Sequence, residues 1–499
     1  MPFDDLRAYL QRLEAVGQLQ RVDTALRCGR DDNELQALMR YLHDQNNIAL
    51  ILENLDGYNT PGVPIIFNPY GSRERTAMIM GTPDPMEAKI RHARILADRS
   101  TWHEPNPIQP GAALCKEVII PETEVDISTQ IPLVWFGKEG PAFITNGVAV
   151  TRDPDTGARN VGWYRGAMFS NAWHPSGGAY SKERERRCVA VYAFWNPPMS
   201  HIGLHVAKAA NAGKPLEIAF ACSCDPAVHL AAATGVPYGI DEFTFAGGLR
   251  GEPLDVVQCE TVDLEVPATA EYILEGVILP GEEEPIGWHS NVAGYYDKVQ
   301  LFPVMQVNCI THRKNPIWHA TMEMVPPFDH NYIGLLPVES ELLSDLQQKI
   351  PEVDDVVVTP AMTVIVKLNV DGASKPHPEF GKYILHAVWG ASGRWGRTAK
   401  LVIVVGPDVN PYDWTQIEWA IMSRVQPYSD TLINRAGQAF VDDPSAPRSA
   451  QGVPMQSEQM GIDATIKVPE RFDDYPEVSQ ADPAEVKAIA KKLRLTPPQ

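Results

Sequence analysis

The spacing of the hydrophobic positions changes twice along this 499-residue chain. Near the start they recur every three or four residues, as in Leu6, Leu10 and Leu13, which is the spacing of an amphipathic helix. Between residues 123 and 320 the pattern changes to short apolar runs separated by turn residues, which is typical of β-strands. After about residue 325 helical and strand patterns alternate again. The chain is therefore predicted to have an α/β segment at each end of a mainly β middle.

The element boundaries follow from these patterns and from the Pro, Gly and Asp residues between them. Helices are predicted at residues 3–16, after 31–33, at 85–97, 201–210, 226–233, 340–350 and 412–425, and from 483. Strands are predicted at residues 48–52, 63–67, 144–151, 160–167, 188–194, 216–222, 306–312, 356–358, 363–368 and 401–405. The resulting division is an N-terminal α/β domain (1–122), a central domain (123–325) and a C-terminal α/β domain with a tail helix for oligomerisation (326–499).

A hairpin in the middle segment carries the most informative residues. The strand 147–151 is followed by Asp-Pro-Asp-Thr-Gly (153–157), a strong turn signal, and then by Asn160-Val161-Gly162-Trp163-Tyr164-Arg165. This return strand begins with an amide suited to a cation or a phosphate and ends with a guanidinium suited to a carboxylate. Such an arrangement indicates a ligand site rather than a plain surface hairpin.

Charge and composition narrow the class of protein. A formal net charge of −20 argues against a nucleic-acid-backbone binder, which would need a basic face. The first residues lack the basic and apolar regions of a signal peptide, and no run reaches the roughly 18 apolar residues that span a bilayer. Seven widely spread cysteines favour a reduced, cytoplasmic chain. Cys222-Ser223-Cys224 has the wrong spacing for a CxxC motif and is interpreted as part of a core strand.

Further polar signals in the middle segment suggest a metal site. His201 and His205 are four apart on a predicted helix, but the glutamate of an HExxH zinc motif is missing, which favours either a single metal ligand or two ordinary surface histidines. Glu242 follows a turn and precedes an apolar segment. Asn160, His201 and Glu242 together form a set of nitrogen and oxygen ligands. Such a mixed set suits Mn²⁺ or Mg²⁺ better than structural zinc. Spacing alone does not show that these residues converge.

An acidic run close to a proline and an aromatic residue suggests the other half of a site. Residues 282–289 read Glu-Glu-Glu-Pro-Ile-Gly-Trp-His. Three consecutive carboxylates usually belong to a solvent-facing loop, whereas the Pro, Gly and Trp that follow are less usual there. If Glu283 lies beside Arg165, the pair forms an anion clamp held by a carboxylate.

Several motifs, in this order, resemble the UbiD family of decarboxylases that use prenylated FMN, and the resemblance covers essentially the full length. The motifs are Gly71-Ser72-Arg73-Glu74-Arg75, Gly140-Pro141-Ala142-Phe143-Ile144-Thr145, Arg152-Asp153-Pro154-Asp155-Thr156-Gly157, the hexapeptide 160–165, Pro197-Pro198 with His201, and Val266-Pro267-Ala268-Thr269-Ala270-Glu271 followed by Leu274-Glu275-Gly276.

The resemblance implies a central split β-barrel like that of flavin reductases, between two α/β domains. It also implies that Asn160, His201 and Glu242 hold Mn²⁺ against the cofactor phosphate, with Ser200 beside them and a K⁺ nearby. Residues 160–165 would lie along the cofactor, and Arg165 would bind the substrate carboxylate. A basic residue of the C-terminal domain would reach the cofactor; Arg394 is the best match, and the alignment could slip to Arg397. A flavin prenyltransferase would supply the cofactor, and a homodimer or homohexamer is expected.

The chain departs from the family at one position. In the family, the two catalytic acids are the first and last residues of a Glu-Gly-Pro-Phe-Gly-Glu pattern. When the Pro and the Gly are aligned with Pro285 and Gly287, the first acid matches Glu283. The second acid, which is the usual proton donor in the family, is replaced by Trp288. His289 is adjacent and has a suitable intrinsic pKa, so it is held as a possible donor. A one-residue slip would instead pair Glu284 with His289 but would lose the proline match.

These features predict a non-oxidative, reversible decarboxylase of an aromatic, heteroaromatic or α,β-unsaturated acid. Two alternatives stay open: a flavin-dependent oxidoreductase on a split barrel, and a non-catalytic family member, which Trp288 favours. The substrate pocket is expected from residues 285–335 and 425–445. A coenzyme A thioester, a free heteroaromatic acid and a phenolic acid all remain possible substrates.

Overall fold

The structure is a computed structural model, and it describes residues 3–45, 47–170, 173–195, 200–391, 393–448, 454–468, 471, 475–479, 481 and 483–493. Its helices are α1 Leu6–Ala15, α2 Glu34–Asp44, α3 Arg73–Ile79, α4 Pro85–Ala97, α5 Ile127–Gln130, α6 Lys182–Arg187, α7 His201–Asn211, α8 Pro226–Ala233, α9 Glu242–Arg250, α10 Asp329–Gln347, α11 Phe380–Trp389, α12 Arg394–Thr398, α13 Trp414–Arg424 and α14 Pro483–Leu493. Short 3-10 helices cover Arg99–Thr101, Pro110–Ala112, Leu114–Lys116, Glu122–Glu124 and Gly372–Ser374.

The strands are β1 Leu19–Val22, β2 Leu26–Arg27, β3 Ala49–Leu52, β4 Leu55–Asp56, β5 Ile65–Phe67, β6 Asn106–Pro107, β7 Val118–Ile120, β8 Ala142–Arg152, β9 Arg159–Met168, β10 Cys188–Val191, β11 Leu216–Cys222, β12 Asp255–Gln258, β13 Glu265–Pro267, β14 Tyr272–Ile286, β15 Gln300–His312, β16 Trp318–His319, β17 Val353–Val358, β18 Val364–Leu368, β19 Leu401–Val405, β20 Thr431–Gln438 and β21 Gln456–Ala464.

Local capping explains why several helices begin where the sequence predicts. Both α4 and α8 start with a proline, whose missing N–H costs nothing at that position. The preceding Asp84 and Asp225 accept hydrogen bonds from the next free backbone N–H groups. The predicted bounds of both helices are confirmed. Within the described residues, no helix is long and apolar enough to cross a bilayer.

Six strands of the middle segment close into a ring. The order is β10-β9-β8-β11-β14-β15, and β15 pairs back to β10. The predicted hairpin is confirmed as the antiparallel pair β8–β9, in which Thr151 lies opposite Asn160. Val148 and Val150 belong to one hydrophobic cluster, whereas Ala149, between them, belongs to another. The ring is therefore covered on both faces, which explains its continuous apolar runs.

Two further main sheets flank the ring in the chain. The first has the order β1-β3-β5-β16, so residues 318–319 return to a sheet that is otherwise N-terminal. In the opposite direction, β7 leaves the N-terminal segment and pairs with β15. The other sheet has the order β17-β18-β19-β21-β20 and packs against α11 and α13. The domain boundaries at 122 and 325 stay a prediction; two strand pairings, β7 with β15 and β16 with β5, connect the segments on either side of residue 122.

Three regions differ from the predicted elements. Helix α10 starts at Asp329 instead of 340; Pro337 lies inside it and obscures the helical pattern in the sequence. Strand β14 continues through Glu282–Glu284, where a solvent-facing loop was the ordinary interpretation, because β15 pairs with it there. Strands β20 and β21 were not predicted; exposed polar residues interrupt their apolar pattern, and their pairing is a tertiary contact.

Candidate active site

A cavity of about 330 Å³ lies where the ring meets α10 and parts of the C-terminal segment. The ring and the loop after β14 contribute the polar side of the cavity, and α10 with the C-terminal segment contributes much of the apolar side. The lining residues include Trp163, Tyr164, Arg165, Tyr192, Ser200, His289, Asn291, Asp297, Glu323, His330, Leu335, Val338, Met362, Trp395 and Val441. The cavity therefore collects side chains from segments more than 250 residues apart.

Arg165 is the central charge of this cavity. It lies near the end of β9, forms an ion pair with Glu323, and donates from Nη1 to the carbonyl oxygen of Ser290 at 2.6 Å. On its other side, Glu323 contacts His330, with Oε1 and Nδ1 2.7 Å apart. Trp163 packs edge-on against the His330 ring at 4.2 Å between centroids. These contacts hold the guanidinium in one place.

The electrostatics of Glu323 follow from this pairing. Burial alone would raise its pKa, but the charge of Arg165 and the contact with His330 lower the pKa to about 2. Glu139, a second buried carboxyl, accepts from Ser290 Oγ at 2.7 Å. Burial raises the pKa of Glu139 to about 7, while Ser290 and Arg165 oppose the rise. Arg165 is thus flanked by one firmly ionised carboxylate and one that titrates near neutrality.

His289 forms the second polar group of the cavity. Its Nε2 lies 3.1 Å from Asp297 Oδ2, and Asp297 also accepts from Tyr192 and Asn291. Burial lowers the pKa of His289, and Asp297 opposes that shift. The neighbouring Trp288 has 51% of its surface exposed and a φ of +57°, so it faces away while His289 is buried.

The predicted pairing of Arg165 with Glu283 is wrong. Glu283 accepts from Trp195 Nε1 at 2.7 Å in a separate small pocket, and Arg165 pairs with Glu323 instead. Arg184 forms ion pairs with both neighbouring glutamates. Its Nε lies 3.2 Å from Glu284 Oε1, and its Nη1 lies 3.0 Å from Glu282 Oε2. The physical reason is that pairing with β15 directs this acidic run away from the end of β9 that carries Arg165.

The predicted metal ligands Asn160 and Glu242 lie side by side. Glu242 is the first residue of α9, and its carboxylate accepts from the backbone N–H of Val161 at 2.7 Å. Burial raises the pKa of Glu242 to about 8. The nearby Arg159 is already paired with Asp241 and with a further carboxylate, so it does not neutralise Glu242. The amide nitrogen of Asn160 is buried and makes no hydrogen bond to the described residues.

His201, the third predicted ligand, begins α7 on the same side of the hairpin. One turn further along this helix, His205 contacts Thr151 with Nδ1 and Oγ1 2.9 Å apart, and Thr151 is the cross-strand partner of Asn160. Burial lowers the pKa of His201. No three His, Cys, Asp or Glu side chains in the described part of the chain are grouped to hold a metal. A metal site here would therefore depend on the amide of Asn160.

The other predicted positions are distributed as follows. Ser200 lines the cavity and caps α7, accepting from the N–H of Gly203 at 3.2 Å. A side chain at Gly162 would collide with the ring of Tyr164, whose nearest atom is 2.6 Å from the Cβ position. The side chain of Arg394 and the Pro197-Pro198 pair lie outside the described residues, and Arg397 is exposed. Both cysteines of the Cys222-Ser223-Cys224 segment are free and buried, as predicted.

Sequence reasoning missed four polar residues of the site: Glu139, Asp297, Glu323 and His330. Glu139 precedes the quoted motif at 140–145, and Glu323 stands alone between methionines, so neither has a distinctive spacing. Asp329-His330-Asn331 is a cluster of polar residues just after a proline pair and was the one available signal. These residues acquire a role only through their contacts with the ring.

Comparison with known proteins identifies the family to which this chain belongs. Models of the N-terminal domain, the Rift-related domain and the C-terminal domain of 3-octaprenyl-4-hydroxybenzoate carboxy-lyase match residues 10–91, 107–326 and 331–464. The chain therefore belongs to the UbiD family of carboxy-lyases. An uncharacterized protein of Synechocystis sp. is 30% identical over 514 residues, covering 98% of this chain and 95% of the relative.

Solved structures agree along the whole length. The UbiD-class enzyme HmfF from Pelotomaculum thermopropionicum, in complex with FMN, has a TM-score of 0.82 and 28% identity, covering 97% of this chain and 99% of that one. An evolved dimeric form of HmfF, in complex with prFMN, has a TM-score of 0.77 and 29% identity, covering 97% of this chain and 100% of that one. The vanillic acid decarboxylase of Sedimentibacter hydroxybenzoicus has a TM-score of 0.82 and 27% identity, covering 99% of this chain and 100% of that one. The chain has the multidomain α/β fold of these enzymes.

Proposed function

We propose that this protein is a non-oxidative, reversible decarboxylase that uses prenylated FMN and a divalent metal. Its substrate would be an aromatic, heteroaromatic or α,β-unsaturated carboxylic acid. The observation that carries the proposal is Arg165, whose side chain is 14% exposed and whose guanidinium is fixed by Glu323 in the wall of the cavity. Membership of the UbiD family and the flavin complexes of HmfF support the same reaction class.

Arg165 would bind the substrate carboxylate. A guanidinium presents planar donors that match a carboxylate, and burial strengthens the attraction because water does not screen it. Glu323 orients Arg165, and its own charge offsets part of the guanidinium charge, so the clamp holds the carboxylate without trapping it. The loss of CO2 breaks the bond between the carboxyl carbon and its neighbour, and a proton must then take the place of the CO2.

We assign the proton to His289, with Asp297 as its positioning residue. A lowered pKa makes the protonated imidazole a stronger acid, although it reduces the protonated fraction at neutral pH. Asp297, whose Oδ2 lies 3.1 Å from His289 Nε2, restores part of that fraction through its negative charge. In the carboxylation direction the same imidazole, when neutral, would accept the proton. His289 would therefore take the role of the family's second catalytic acid, whose position Trp288 occupies in this chain.

The metal and the cofactor phosphate fit the corner formed by Asn160, His201 and Glu242. A buried carboxyl whose pKa is raised to about 8 is a group that a divalent cation would ionise and stabilise. The first turn of α7, apart from the N–H of Gly203 that Ser200 caps, presents backbone N–H groups with no partner inside the helix, and such groups favour a phosphate. When bound, prenylated FMN would supply the electron sink for the pair of electrons left by CO2. Trp163 and Tyr164 would lie along the flavin.

The decisive experiment is co-expression with a flavin prenyltransferase, followed by mass spectrometry of the bound cofactor. The holoprotein would then be assayed for exchange of ¹³C-bicarbonate into a panel of aromatic and heteroaromatic acids. We expect prenylated FMN in the protein and label in at least one acid. A protein that contains unmodified FMN and is bleached by NAD(P)H would instead be an oxidoreductase. Absence of exchange from a prenylated-FMN holoprotein across the panel would contradict the proposal.

A further inference from the structure

A second cavity of about 340 Å³ adjoins the first and shares part of its wall. Val292, Val338, Met362 and Trp395 line both cavities. The second cavity extends from this shared wall towards β17, β18 and the start of β19, on the side away from Arg165. We call it the outer chamber. The shared residues make it an extension of the candidate active site rather than an isolated void.

The outer chamber is mainly apolar. Its lining includes Val358, Val364, Ala399, Leu401 and Phe440. Burial of polar or charged groups against such a lining would cost free energy, whereas an apolar group would gain by leaving water.

The charged residues at its edge are already balanced. Lys400 Nζ lies 2.9 Å from Asp443 Oδ2, and Asp443 also accepts from Ser445. An incoming ligand is therefore not required to neutralise either charge. Together with the lining, this favours an uncharged hydrocarbon group as the occupant.

The shared wall carries an unusual backbone conformation. Met362 has a φ of +68°, in the left-handed region that residues with a side chain seldom adopt. The turn from β17 to β18 holds it there, with the N–H of Met362 donating to Thr359 at 2.8 Å. Such strain is typically retained where it serves a ligand site. A methionine at this position presents a flexible apolar side chain that can adapt to different groups.

We infer that the physiological substrate is longer than a single ring and places an apolar extension in the outer chamber. This inference rests on the proposed function in taking the substrate carboxylate to lie at Arg165. A flavin lying along Trp163 and Tyr164 would occupy part of the first cavity. A substrate with more than one ring, or with a hydrocarbon tail opposite its carboxylate, would then fill the remaining space and pass the shared wall.

The test compares two acids as binding probes for the holoprotein. Benzoate carries the carboxylate alone, whereas biphenyl-4-carboxylate adds an apolar ring opposite it. Isothermal titration calorimetry should show biphenyl-4-carboxylate binding about tenfold or more tightly than benzoate, because a second ring leaves water. Ala361 lines the outer chamber only and is exposed, so Ala361→Trp can fill the chamber without overpacking the core.

In Ala361→Trp the affinity ratio of the two acids should fall to about one, and the smaller block Ala361→Leu should give an intermediate ratio. Ala212→Trp, a matched change at an exposed helix end away from both cavities, should keep the wild-type ratio. Equal affinities in the wild type, or an unchanged ratio in Ala361→Trp, would overturn the inference. If the ratio changes as expected but neither acid exchanges CO2, the outer chamber is supported and decarboxylation of these two acids is rejected.

Discussion

Two buried glutamates near strand β9 have opposite electrostatic environments. Glu323 is paired with Arg165, which outweighs the effect of burial and lowers its pKa to about 2. Glu242 accepts from the backbone N–H of Val161 and forms no ion pair within the described part of the chain, and burial raises its pKa to about 8. The protein therefore pairs one of these carboxylates with an internal cation, and the proposed function pairs the other with a bound metal ion.

The difference separates two tasks within one site. A carboxylate that is already balanced can orient a guanidinium for a substrate without changing its own protonation state. A carboxyl that is unbalanced at neutral pH gains most from binding a divalent ion. Under the proposed function, the same hairpin would hold the substrate carboxylate at one end and a divalent metal at the other, and the two roles can be tested by separate substitutions.

The largest effect is expected from Arg165→Ala. It should reduce CO2 exchange about 10³-fold, since a buried electrostatic contact to the substrate is lost, while the flavin content measured by absorbance is retained. It should also destabilise the protein by about 3–5 kcal/mol in urea unfolding, because Glu323 is left without its partner.

The double variant Arg165→Ala with Glu323→Gln should recover most of that stability but none of the activity. Glu283→Gln is the matched control, because the sequence predicted that Glu283 pairs with Arg165. This variant should keep both the stability and the activity of the wild type. Loss of activity in Glu283→Gln with full activity in Glu323→Gln would reverse the assignment of the carboxylate that holds Arg165.

The second effect concerns Glu242 and the metal. At a Mn²⁺ concentration 100 times the Kd, the wild type should be stabilised by about 2.7 kcal/mol, measured as a shift of the thermal unfolding midpoint. Because the folded pKa of Glu242 is raised, the metal-free protein should lose stability as pH rises through about 8. At one fixed Mn²⁺ concentration the stabilisation should be larger at pH 9 than at pH 7, because at pH 9 the metal no longer competes with a proton for the carboxylate. Glu242→Gln should abolish both the metal effect and its pH dependence; an unchanged Mn²⁺ response would exclude Glu242 as a ligand.

The pKa of Glu139 lies between those of Glu323 and Glu242, and a smaller effect is expected from its substitution. Its folded pKa of about 7 exceeds the ordinary value near 4.3, so the folded state binds more protons and stability falls as pH rises through this range. This loss should amount to about 2.5 kcal/mol between pH 5 and pH 8 in chemical unfolding. Glu139→Gln should flatten that slope while preserving the ion pair of Arg165. A slope identical to that of the wild type would show that Glu139 is ionised throughout.

The smallest effect is expected from Asp297→Asn, which tests the proton donor. Removing this carboxylate should lower the pKa of His289 further, since Asp297 opposes the effect of burial. CO2 exchange should fall about tenfold at neutral pH, and the pH at which exchange is half-maximal should move to a lower value. Flavin content and the unfolding midpoint serve as controls for a merely structural defect. An unmoved pH profile would remove His289 from the role of donor.

Local patterns in the sequence determined much of this protein. The Pro and Asp punctuation at residues 84–85 and 225–226 predicted α4 and α8 to the residue, since capping depends only on neighbours in the chain. The turn at 153–157 and the alternation of 160–165 likewise predicted the hairpin that carries Arg165. The ordered motifs were sufficient to recognise the UbiD family.

Tertiary structure alone decided which acid meets Arg165. Glu283 and Glu323 are both glutamates at the end of the middle segment, and the motif register favoured the first. The pairing of β14 with β15 turns Glu283 towards Trp195, while the return through β16 brings Glu323 to the end of β9. Ion pairs between distant segments depend on strand register and on how the chain returns, and neither is encoded in the residues next to the charge.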